Sequence, residues 1–86
     1  MHIGFVLIKT ASEHEHTVYN KLLKTREVIE VHPLFGEYDL IVKIEAESFE
    51  KLGEIIINKI RSIRHVTDTR TLTGTKLDSK HKWQRS

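Results

Sequence analysis

Apolar residues near the start of the chain occupy both alternating sets. Ile3, Phe5 and Leu7 fall on one side of an extended backbone, and Val6 and Ile8 on the other. A strand over residues 2–9 with this pattern is covered on both faces. The period then changes. Val18, Tyr19, Leu22 and Leu23 recur at helical spacing, which predicts an amphipathic helix to about Thr25. Ser12, with Glu15 three residues later, predicts a capping box at its start.

Residues 28–34 read as a second strand, with Ile29 and Val31 opposite Glu30 and His32, and Pro33 placing it at an edge or ending it. A short connection at Phe35-Gly36-Glu37 leads into a third strand over residues 38–45. Tyr38, Leu40, Val42 and Ile44 share one face of it, and the other mixes Asp39, Ile41, Lys43 and Glu45. Ser48 is the expected cap of a second helix over residues 49–63, and Glu50 suits the positive end of its dipole. Its stripe is Phe49, Leu52, Ile56, Ile60 and Ile63, and Ile55 and Ile57 widen it on either side. A last strand, 66–73, carries Thr67, Thr69, Thr71 and Thr73 on one face and Val66, Asp68, Arg70 and Leu72 on the other.

The order β-α-β-β-α-β is the split βαβ of ferredoxin-like α+β folds. Right-handed crossovers place both helices on one face of a four-stranded antiparallel sheet. Strands one and three are nevertheless apolar on both sides. An uncovered apolar sheet face costs roughly 25 cal/mol per Å², and a second copy meeting it sheet to sheet is the simplest cover. A homodimer is therefore expected. At 86 residues the chain holds one domain, and a domain this short gains from such an interface.

Composition narrows the functional classes. Fourteen basic and twelve acidic residues leave a formal charge of +2. Their interleaving argues against a general nucleic-acid or membrane surface. The basic excess gathers after Gly74, where Lys76, Lys80, His81, Lys82 and Arg85 form a polar tail. The expected division is a folded domain over 1–74 and a basic tail over 75–86. That tail is either a solvated end or an arm for phosphate or a partner. The absence of cysteine removes disulfides and thiolate metal sites. No apolar run reaches the roughly 20 residues that span a bilayer, and no signal peptide is legible. A cytoplasmic protein is expected.

The most informative string is Leu34-Phe35-Gly36-Glu37-Tyr38-Asp39-Leu40. Gly36 permits positive φ and close approach of a ligand. Adjacent backbone N–H groups can hold a carboxylate, and Glu37 or Asp39 can receive an α-ammonium. Tyr38 adds an apolar body with a polar tip. On spacing alone an ordinary hairpin turn explains the same residues. Thr69 and Thr71 offer hydroxyls to a polar ligand, although threonine is also simply a good strand residue. The six histidines lack metal-ligand spacing. No GxSxG, P-loop or GxGxxG is present. Neither a metal, a cofactor nor catalysis is expected, although a small dimeric α+β-barrel enzyme stays open as an alternative. Nucleic-acid stacking on the sheet is disfavoured, since the central strands offer only Phe5 and Tyr38.

Residues 31–43, VHPLFGEYDLIVK, together with 66–73, VTDTRTLT, resemble the effector-binding domain of the Lrp/AsnC (feast/famine) transcription regulators. Gly36, Tyr38 and Asp39 match that family's Gly-x-Tyr-Asp element, and Val66, Thr69 and Thr71 its V-x-x-T-x-T strand. The resemblance implies dimers built through the sheets, higher oligomers, and amino-acid effectors bound in clefts between subunits. It implies that Gly36, Glu37, Tyr38 and Asp39 line the effector pocket, with Thr69 and Thr71 contributing from the last strand. The chain begins almost directly at its first strand, where full-length regulators carry a helix-turn-helix. A stand-alone form is therefore expected, regulating transcription through partners such as full-length relatives, without sequence-specific DNA binding of its own. A structural assembly subunit with no ligand is the other reading. Arg64 and His65 stand where the family has Pro and Gly, so the turn before the last strand is expected to be built differently.

Overall fold

In the computed structural model, residues 1–73 are described, and the basic tail 75–86 lies outside them. Four strands, β1 (His2–Thr10), β2 (Val28–Pro33), β3 (Leu40–Ala46) and β4 (Val66–Thr73), form one antiparallel sheet in the order β2-β3-β1-β4. Helix α1 (Glu15–Leu23) follows β1. Helix α2 (Phe49–Ile55) follows β3 and runs on into a π-helical turn, Ile56–Ile60. The architecture is the ferredoxin-like βαββαβ that the periodicity predicts.

One sheet face meets the helices. Val6 and Ile8 of β1 and Leu40, Val42, Ile44 and Ala46 of β3 pack there against Val18 and Leu22 of α1. Leu52, Ile55, Ile56, Ile60 and Ile63 complete the core, which is entirely aliphatic and holds no buried polar residue among the described residues. The other face is open. On it Phe5 stands between Leu72 and Lys43, and Leu7 between Arg70 and Ile41. Ile3, Phe5, Leu7, Ile41 and Leu72 thus form an apolar patch that no element among the described residues covers. Glu30 borders it at the β2 edge, 3.7 Å from Lys43, with His32 Nε2 2.9 Å from its other oxygen.

Four local expectations are corrected. Ser12 does not cap α1. The residue before the helix is His14, whose side chain makes no capping bond, while its N–H donates to the Ala11 carbonyl at 3.0 Å. The turn through Glu13, at φ 71°, delays the helix past the serine. In β2, Val28 pairs with Ile44 but Glu30 with Lys43. Ile29 is the extra residue of a bulge, so it turns outward, 47% exposed, while Val28 and Val31 face the core. Tyr38 precedes β3 rather than belonging to it. Phe49 lies outside the buried stripe at 59% exposure.

The second helix explains its own breadth. Ser48 caps it as predicted, its Oγ accepting from the Lys51 N–H at 3.1 Å. After Ile55 the ladder widens, and Arg61 N–H donates to the Ile56 carbonyl five residues back at 2.8 Å. The inserted residue rotates the following turn, so Ile55, Ile56 and Ile60 all reach the sheet while Ile57 points to solvent. The turn after it is also distinctive. His65 takes φ 76°, a left-handed conformation that costs a non-glycine residue roughly 1–2 kcal/mol. Two contacts hold it. Its carbonyl accepts from Ala11 N–H at 2.8 Å, and its ring stacks on His14 with centroids 3.6 Å apart and planes 7° from parallel.

Candidate functional site

The β2–β3 connection is fixed at its base and open at its tip. Leu34 N–H donates to the Asp39 carbonyl, and Asp39 N–H donates to the Ile8 carbonyl, both at 2.8 Å. The Asp39 carboxylate is anchored as well. Its Oδ2 accepts from Thr10 N–H at 2.8 Å and from Thr10 Oγ1 at 3.1 Å. Oδ1 has no partner among the described residues. Between these anchors the N–H groups of Phe35, Gly36, Glu37 and Tyr38 donate to no protein acceptor among the described residues. Gly36 has φ 134°, which a side chain rarely adopts, and a Cβ there would meet nothing within 4 Å. The residue is therefore kept glycine by backbone conformation, not by crowding.

The loop's residues divide between two sides. Gly36 and Asp39 line a groove of about 630 Å³ against α1, whose other walls are Glu15, His16, Tyr19, Pro33, Leu34, Phe35 and Leu40. Phe35 is fully exposed at its rim. Glu37 and Tyr38 lie with Lys9 instead. Lys9 Nζ is 3.7 Å from Glu37 Oε2 and 5.6 Å from the centre of the Tyr38 ring, a cation–π contact. The threonines are elsewhere again. Thr69 is paired with Ile8 and Thr71 with Val6, so both belong to the edge strand on the far side of β1. Two strand spacings, about 10 Å, separate that edge from β3. The six candidate residues are not brought together within one protomer.

A family model described as the Lrp/AsnC ligand binding domain matches residues 3–76. The chain belongs to the Lrp/AsnC family. It is 37% identical over 74 residues to the HTH-type transcriptional regulator PYRAB16920 of Pyrococcus abyssi, a match covering 83% of this chain and 49% of that protein. It is 30% identical over 67 residues to the regulatory protein AsnC of Escherichia coli, covering 78% of this chain and 43% of that one. Among solved structures, FFRP-DM1 superposes with a TM-score of 0.83 at 39% identity, covering 87% of this chain and 100% of that chain. The chain spans about half the length of the curated relatives it matches.

Within this Lrp/AsnC ligand-binding domain, the sequence reading missed Thr10, Lys9 and Tyr19. Thr10 lies 29 residues from Asp39 along the chain. No local spacing marks it as the partner of that carboxylate. Tyr19 reads as part of the apolar face of α1, and only the packing of the helix beside the loop turns it toward the groove. Among the described residues no three His, Asp or Glu side chains converge as metal ligands. No helix there is long and apolar enough to cross a membrane.

Proposed function

We propose that this chain is a cytoplasmic regulatory module that binds an amino acid or close relative, self-associates through its open sheet face, and acts on transcription through partner proteins without catalysing a reaction. The observation that carries this reading is the loop of unpaired N–H groups beside the α1 groove, in a chain whose family is defined by a ligand-binding domain. Consecutive backbone donors around Gly36 form a concavity suited to an α-carboxylate. Asp39 Oδ1 suits the α-ammonium, in a charge-assisted bond of roughly 1.5–3 kcal/mol. Tyr19, Leu34 and Leu40 then face an apolar side chain.

The division of the six candidate residues favours a site completed between subunits. Thr69 and Thr71 lie on an edge strand and cannot reach their own protomer's groove, so they join it only from a neighbouring copy. The apolar patch of Ile3, Phe5, Leu7, Ile41 and Leu72 supplies a reason for copies to associate. The test is a thermal-shift screen of the protein amino acids with light scattering on the same samples. At least one amino acid should raise the melting temperature by mass action. Gly36→Val, which forces a β-branched residue into φ 134°, should abolish that rise. Stable oligomers that respond to no amino acid would instead identify an assembly subunit.

A further inference from the structure

The face opposite the sheet carries a feature that ligand binding at the loop does not use. Along the outer junction of α1 with the π turn and the segment after it runs a cleft of about 1040 Å³. Its walls bring together Lys21, Lys24 and Arg26 from one side and Lys59 and Arg64 from the other, and no carboxylate among the described residues lines it. The nearby anion is Glu27, which holds Lys59 at 2.7 Å. Fourteen lysines and arginines are spread along the sequence, ten of them within residues 1–73. Four of those ten, Lys9, Lys43, Lys51 and Lys59, make ion pairs. Of the other six, which pair with no carboxylate among the described residues, four line this cleft. The charges that look interleaved along the sequence are separated by the fold.

We infer that this cleft is a binding surface for the phosphate backbone of duplex DNA, independent of the loop groove and blind to base sequence. The remaining wall residues support that occupant. Thr17, Asn20, Asn58 and Ser62 supply neutral polar groups suited to phosphate oxygens. Among the described residues no aromatic side chain lines the cleft, which gives it no platform there for stacking the bases of a single strand. Ile63 is its only aliphatic wall residue among the described residues and is buried in the core. An acidic amphipathic peptide would therefore find charge but no apolar seat. Its cations come from two segments that flank a concavity and not from one protruding helix, which limits the contact to the backbone.

The experiment is fluorescence anisotropy of the full chain with a mixed-sequence DNA duplex, between about 50 mM and about 200 mM salt. Each neutralised phosphate contributes about −0.9 to the slope of log K against log salt. The triple variant Lys21→Gln/Lys24→Gln/Arg64→Gln should reduce the magnitude of that slope by about 3, and Lys24→Gln alone by about 1. All three side chains are exposed, so the melting temperature should stay at the parent's value. The tail variant Lys80→Gln/Lys82→Gln/Arg85→Gln should retain the cleft's contribution. The inference is overturned if the triple variant keeps the parent's slope while the tail variant loses it. Equal competition by polyglutamate of matched charge would also overturn it, in favour of an acidic protein partner.

Discussion

Replacing Asp39 with alanine should destabilise the domain more than its partly exposed position suggests. The carboxylate accepts two hydrogen bonds from Thr10, one from the backbone at 2.8 Å and one from the hydroxyl at 3.1 Å. A hydrogen bond to a charged acceptor is worth roughly 1.5–3 kcal/mol when fully formed. Both bonds here are partly buried, so solvent screening brings the pair to about 2 kcal/mol in total. The backbone N–H of Thr10 is the costlier loss. It sits at the register shift between Lys9 and Thr10, where the β1–β4 ladder is interrupted. For a domain of this size each kcal/mol moves the midpoint by roughly 4–8 °C, so Asp39→Ala should melt about 8–16 °C lower at fixed protein concentration. Asp39→Asn keeps an oxygen acceptor and should lose less than half as much. Thr10→Val removes only the hydroxyl bond, and its effect should vanish in the Asp39→Ala background. Calorimetry of the four proteins completes the cycle. An Asp39→Ala midpoint within about 2 °C of the parent would show that Thr10 is satisfied without the carboxylate, and the anchoring argument would fail.

Two further outcomes follow from the same geometry. Phe5→Glu places a charge at the centre of the open face, between Leu72 and Lys43, without touching the core. Self-association should weaken by about 2–4 kcal/mol, on the order of 30- to 1000-fold, with the fold retained, and unchanged light scattering would refute an interface on that face. Stability should also fall below neutral pH because of His65, whose pKa lies below the ordinary 6.5 through desolvation first, then the neighbouring His14 and Arg64 charges. The unfolded chain binds the proton more readily than the folded one, so stability is lost as pH drops through 6.5 and the loss is complete below the lowered value. The lowered carboxyls of Glu27 and Glu30 act only below their ordinary 4.5. Urea midpoints between those two limits should therefore slope less in His14→Gln than in the parent, and equal slopes would remove the stacked pair from the explanation.

The element order was legible because the short apolar run of β1, filled on both alternating sets, gives way to helical spacing in α1. What escaped was every place where one residue is added or withheld. Ile29 looks like a partner of Val31 until the bulge turns it outward. Ile55 and Ile57 look like symmetric flanks of a stripe until the π turn takes one inward and leaves the other in water. Ser12 satisfies the capping rule in sequence, but the left-handed Glu13 places the helix start beyond its reach. These are backbone insertions, and hydrophobic patterning assumes uniform steps. The candidate site was legible in the same partial way. The string around Gly36 identified the loop, since the need for positive φ is a local property. Whether each side chain turns toward α1 or toward Lys9 depends on Thr10 and Lys9, far away in sequence, so the split between Gly36 with Asp39 and Glu37 with Tyr38 was not.

The same geometry would couple the proposed ligand binding to the proposed assembly. Three anchors of the loop converge on the end of β1: Ile8 through its carbonyl, Lys9 through Glu37 and Tyr38, and Thr10 through Asp39. The same strand, two and four residues earlier, presents Leu7 and Phe5 to the open face. β1 is also central, pairing with both β3 and β4, so it cannot shift at one end without disturbing the register that sets the apolar patch. A ligand at the proposed loop site would stabilise the β1 end that the loop grips. A second copy covering Phe5 and Leu7, as proposed, would stabilise the same strand from its open face. Any free energy by which one favours the other must act equally in reverse. The helix-side cleft stands apart from this linkage. Its cations lie on α1, on the π turn and in the segments that follow each, and none of these cations lines the loop groove, so the two proposed sites use different side chains of one domain.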